Sequence, residues 1–119
     1  METITQDRLE SNIPSKPGIY EKDGVLYVVG EEYIYRVCSA LASPTRIRIL
    51  EELLDHEADI GEISDMISQS KANASTQVKR LEEIGLVKAE YKPGARGVRK
   101  VVRTTVREIR IILRPSARG

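Results

Sequence analysis

Ala40-Leu41-Ala42-Ser43-Pro44-Thr45-Arg46-Ile47-Arg48-Ile49-Leu50 is the stretch whose reading decides the fold. It predicts a helix ending near Ser43 and another starting at Pro44, because a proline in the first helical turn lacks only an N–H that would have no partner there. Thr45, Arg46 and Arg48 place donors and positive charge at the start of that second helix. Ile47, Leu50, Leu53 and Leu54 recur at helical spacing and are expected to form its buried stripe. Downstream, Val78-Lys79-Arg80-Leu81-Glu82-Glu83-Ile84-Gly85-Leu86-Val87 closes a further helix on a glycine and changes to an extended period.

Working outward, Glu31 to Ser43 reads as helix 1, with Ile34, Val37, Cys38 and Leu41 on one face. Pro44 to Asp55 is helix 2, and His56-Glu57-Ala58-Asp59 is a connection. Ile60 to about Ser68 is helix 3, burying Ile60, Ile63, Met66 and Ile67. Ser70 can cap helix 4, from Lys71 to Ile84, with Gly85 as its stop. Leu86 to Tyr91 and Val98 to Thr105 are strands around a Lys92–Gly97 tip. Val106 to Leu113 is rich in β-branched residues and is expected to be a strand. Upstream, Asp23-Gly24 between two β-prone runs signals a hairpin over residues 18–30. The expected division is a lead-in and hairpin at 1–30, a helical domain closed by strands at 31–114 and a basic tail at 115–119.

These segments resemble the ArsR-type winged helix-turn-helix regulators, which carry an alanine-leucine-x-x-proline-threonine-arginine-x-x-isoleucine-leucine stretch and a leucine-x-x-x-glycine-leucine-valine stretch. The pattern Arg96-Gly97-x-x-Lys100 further resembles archaeal members. The likeness covers about residues 32–105. It implies a mainly α fold with a small β-wing, to which this chain adds the N-terminal hairpin. It also implies a homodimer that works as a repressor of transcription and leaves DNA on a signal.

Composition agrees with a nucleic-acid partner. Net charge is +1, yet residues 88–119 hold ten basic side chains against two acids, a net +8, and the rest carries −7. Such asymmetry suits a protein with one face turned to a polyanion. Within helix 4, Ala74, Val78 and Leu81 are expected inside. That leaves Lys71, Asn73, Ser75, Thr76, Gln77, Lys79 and Arg80 toward solvent with no acid before Leu81. Asn and Gln can read adenine, while Lys and Arg take guanine or phosphate in the major groove. Lys92, Arg96, Arg99 and Lys100 would form the wing, and Thr45 and Arg46 would meet the DNA backbone.

Other chemistry finds little support. A lone Cys38 excludes an internal disulfide, and on the apolar face of helix 1 it is expected to be a packed, inert thiol. One cysteine and one histidine, His56 in an acidic loop, fall short of the three or four N/S ligands of a soft-metal site. No cofactor or metal is expected, and no nucleophile-and-base pair suggests an enzyme. The N-terminus lacks a signal peptide's regions and no run could cross a bilayer, so a cytoplasmic protein without membrane contact is expected. Two rival functions remain: a winged-helix protein-interaction module of the transcription machinery, and a metal- or redox-responsive repressor acting through Cys38.

Overall fold

A computed structural model describes residues 13–115. The lead-in before residue 13 and the tail from 116 lie outside the described residues. The chain runs β1 (Gly18–Lys22), β2 (Val25–Val29), α1 (Glu31–Leu41), α2 (Pro44–Asp55), β3 (Ala58–Asp59), α3 (Ile60–Ile67), α4 (Lys71–Glu83), β4 (Lys88–Gly94), β5 (Gly97–Arg103) and β6 (Glu108–Ile112). Among the described residues, two three-stranded sheets, ordered β1-β2-β6 and β3-β5-β4, accompany four helices. The fold is therefore mixed α and β rather than mainly α. The sequence reading missed one strand, β3, which has only two residues and is too short to show a period.

Local chemistry sets the helix ends. Glu31 and Glu32 complement the start of α1. α1 stops at Leu41, two residues before the expected Ser43, since Pro44 pushes Ser43 into an extended conformation. The Ser43 hydroxyl then accepts from the Arg46 backbone N–H at 3.3 Å and caps α2. Asp59 and Glu62 form a reciprocal capping box at α3, with bonds of 2.8 and 2.9 Å. Ser70 caps α4 through the Asn73 N–H at 3.1 Å. At the far end Gly85 takes φ +81°, and Leu86 N–H returns to Leu81 carbonyl at 3.0 Å.

One core joins these parts. Leu26 and Val28 of β2 share it with Val37, Ile49, Leu53, Ile63, Val78, Leu81, Leu86 and Val102. β2 pairs antiparallel with β1 and parallel with β6, Val25 lying opposite Glu108. The last apolar run is thus a strand, as expected. The wing strands extend to Gly94 and resume at Gly97, leaving Ala95 and Arg96 as a two-residue tip. Ala58 and Asp59, expected as connection, pair with Val102 and Val101 of β5.

Two burial expectations fail. α2 buries Ile49 and Leu53, whereas Ile47 and Leu54 are 42% and 45% exposed and Leu50 is half-buried. Cys38 is exposed. α1 centres its inner face on Val37, flanked by Ala40 and by partly buried Tyr33, Ile34 and Leu41. Position 38 lies a full 100° step beyond that centre and leaves the packed arc.

Candidate nucleic-acid interface

α4 is fixed from beneath by Ala74, Val78 and Leu81, none of which reaches solvent. Lys71, Asn73, Thr76, Lys79 and Arg80 are exposed, and Ser75 and Gln77 half-buried. The capped N-terminal turn carries no acid, so its free N–H groups and Lys71 offer a positive end to an anion. Thr76 hydroxyl donates to Ala72 carbonyl at 3.1 Å, which leaves its oxygen as an acceptor.

Gln77 is not a free reader. Its Oε1 accepts from Arg46 Nη1 at 2.7 Å. The same guanidinium donates through Nε to Ala40 carbonyl at 2.6 Å and through Nη2 to Ser39 carbonyl at 3.4 Å. Arg46 therefore braces the end of α1, the start of α2 and the middle of α4 together. Burial, and then the nearby Arg80 charge, lowers its pKa from the ordinary arginine value. Thr45, beside it, is half-buried.

The wing is drawn back onto the body by ion pairs. Lys92 meets Glu57 at 3.0 Å, Arg99 meets Asp59 at 2.6 Å and Glu62 at 3.5 Å, and Lys100 meets Glu82 of α4 at 3.5 Å. Of the four expected wing cations, Arg96 alone has no carboxylate within ion-pair range among the described residues. It sits at the tip, with Tyr91 and Val98 on the adjoining strands each 72% exposed. Sequence reasoning passed over Glu57, Asp59, Glu62 and the Arg46–Gln77 contact. Their partners lie far apart in the chain, and only the Asp59-x-x-Glu62 capping pattern left a local signal.

Asp59 does double duty, capping α3 and anchoring Arg99. The Glu62 backbone N–H first, and then the Arg99 guanidinium, hold its carboxyl below the usual aspartate value against an opposing burial effect. A depressed carboxylate stabilises the fold fully above its unfolded pKa, about 3.9, and loses that contribution as pH falls through the lower folded value. Asp59→Asn is thus expected to be destabilised against wild type at neutral pH, with the gap shrinking below about pH 4. Urea midpoints measured across that range check it, and a gap that persists unchanged into acid would remove the carboxylate charge from the account.

Comparison with known proteins agrees with this geometry. The family profile described as "Bacterial regulatory protein, arsR family" matches residues 43–89, from the α2 cap into β4. The chain is similar to a homodimeric winged helix-turn-helix DNA-binding domain from Mycobacterium bovis, described as a possible ArsR-family transcriptional regulator. Identity is 28% and the TM-score 0.55, covering 62% of this chain and 65% of that one. Reduced HlyU from Vibrio cholerae is 26% identical at TM-score 0.53, covering 61% and 73%. Rv0081 from Mycobacterium tuberculosis is 27% identical at TM-score 0.52, covering 61% and 70%. No curated protein matches the chain in sequence, and no helix among the described residues is long and apolar enough to cross a membrane. The segment that runs from the α2 cap across α4 to the first wing strand is thus similar to the arsR family of bacterial regulatory proteins.

Proposed function

We propose that the chain is a sequence-specific, double-stranded-DNA-binding transcription regulator that acts as a homodimeric repressor in the cytoplasm, with no catalytic step. The observation that carries it is α4: a capped, acid-free helix start whose Lys71, Asn73, Thr76 and Lys79 are exposed on a rigidly packed stripe. Such a helix fits the major groove, where base edges are distinguishable. Ser75 and the amide nitrogen of the braced Gln77 add donors, and Arg80 supplies charge. The wing follows with Arg96 at its tip, while Lys92, Arg99 and Lys100 set its position and add to the local field. The protein-interaction alternative lacks a comparable feature.

The test is duplex binding over a salt series, on sites selected from genomic DNA. Arg96→Ala is expected to lower the log–log salt slope by about 0.9, as the loss of one phosphate contact does. Asn73→Ala is expected to cost about 1–3 kcal/mol on the cognate site with little change on random DNA. Equal losses of Asn73→Ala on both would return that side chain to backbone contact, and absence of duplex binding would sink the reading.

The homodimer draws support from the M. bovis domain, described as homodimeric. In this chain, α1, the β1-β2 hairpin and the edge strand β6 are the proposed contact elements. Beside them Ile111 is 43% exposed and Leu113 86% exposed, apolar surface of the kind that marks interfaces. Sedimentation of the full chain at micromolar concentration is expected to give a dimer, and Ile111→Asp a monomer; a monomeric wild type would overturn the proposal. Exposure of Cys38 favours one second reading, a thiol-responsive form of this regulator. There, mild peroxide releases DNA from wild type and leaves Cys38→Ala bound.

A further inference from the structure

Between α1 and the C-terminal half of α4 lies a groove of about 480 Å³, within the size range of small-molecule sites. Tyr35, Ala40 and Ile84 give it apolar surface, and Arg36 and Arg80 bring guanidinium groups to it. Arg36 pairs with Glu32 at 3.2 Å, more than half exposed on both sides, and lies over the Tyr33 ring at 5.8 Å. Exposed pairs of this kind are weak and exchange easily for a better partner. Arg80 has no carboxylate within ion-pair range among the described residues. Its charge instead opposes that of half-buried Arg46. Among the residues lining the groove, two arginines stand against one acid, Glu83.

We infer that this groove binds a small organic anion with a flat apolar body, an aromatic carboxylate in its simplest form, as an effector. The carboxylate would meet Arg80 and Arg36 in charge-assisted bonds, where arginine's planar fork matches its two oxygens. The ring would lie against Tyr35 and Ile84. A route to the DNA face is already built. Ser39 and Ala40 line the groove, and their carbonyls are the two that Arg46 holds while it grips Gln77. A ligand that changes the α1–α4 spacing therefore acts on the brace behind the recognition helix. That output rests on the DNA-binding reading above; the binding step does not.

Calorimetric titration of the full chain with naphthoate, and with naphthalenemethanol as its neutral counterpart, tests the binding step without DNA. Naphthoate is expected to bind, with both the alcohol and the Arg80→Gln variant weaker by about tenfold or more, the effect of losing a charge-assisted bond. Tyr35→Ala, altering an exposed side chain, is expected to weaken naphthoate as well. Equal affinity for acid and alcohol, or an unchanged Arg80→Gln, would overturn the site. So would a wild-type dimer that ignores naphthoate and falls to monomer on Tyr35→Ala, since the groove would then be a subunit contact. Saturating naphthoate is expected to shift duplex affinity by about 5- to 150-fold, the usual span of allosteric coupling. Tight naphthoate binding with unaltered duplex affinity would refute the effector role, whereas naphthoate binding by a chain with no duplex affinity would refute the regulator reading and leave the groove standing.

Discussion

Ile49→Ala is expected to destabilise the chain by about 2–5 kcal/mol, the range for truncating a buried isoleucine whose cavity cannot fully collapse. Ile49 has no exposed surface, and it packs in the core that α2 shares with the neighbouring helices and both sheets. A small domain holds only about 5–15 kcal/mol in total, so the variant should melt many degrees lower. Ile47→Ala, one helical half-turn away and 42% exposed, is expected to stay within about 1 kcal/mol of wild type. Urea midpoints at constant slope read both. A larger loss at 47 than at 49 would mean that α2 is rotated about its axis relative to the structure described here.

Arg46→Ala is expected to cost about 1.5–3 kcal/mol in stability, since it strands the acceptors of a charged donor. It should also reduce discrimination between cognate and random duplex. The reason lies in what the guanidinium joins: two carbonyls at the end of α1 and the Gln77 side chain. With its oxygen gripped, Gln77 presents its amide nitrogen in a fixed direction; released, it samples several rotamers. Arg46→Lys is not expected to rescue, because a single ammonium cannot match the fork. A double-mutant cycle with Gln77→Ala isolates the contact. Strict additivity on both stability and cognate affinity would show that the brace carries no energy.

Punctuation by particular residues made most of the helical architecture readable in advance. Ser43-Pro44, Ser70 and Gly85 mark ends through local backbone chemistry, and each acts where its residue type predicts. The inner face of α2 was not readable in the same way. Ile47, Leu50, Leu53 and Leu54 make one helical stripe, and Ile49 with Leu53 makes another. Which one meets the core depends on where α1 and β5 lie. Cys38 shows the same weakness, one step outside an arc whose centre is set by packing. For the candidate interface, the residue types on α4 were legible, but the occupation of its partners was not. Lys92, Arg99 and Lys100 looked like free cations because Glu57, Asp59 and Glu82 reach them only through folding. Among the basic residues of the wing, only the tip position of Arg96 could be inferred from the neighbouring glycines and proline.

The parallel pairing of β2 with β6 also dictates an order of events during folding. β2 leaves the ribosome before its partner, with α1 to α4 and both wing strands between them in the chain. Closing that pair demands a long loop whose entropy must be offset late, whereas the β4-β5 hairpin and the α3–α4 turn close over short spans. Until β6 emerges, one hydrogen-bonding edge of the most deeply buried strand stands open, and an open edge of that kind can recruit another chain. Nascent copies made on one messenger would meet in this state, so strand exchange between neighbours at β6 is the misassembly to which this topology is most vulnerable.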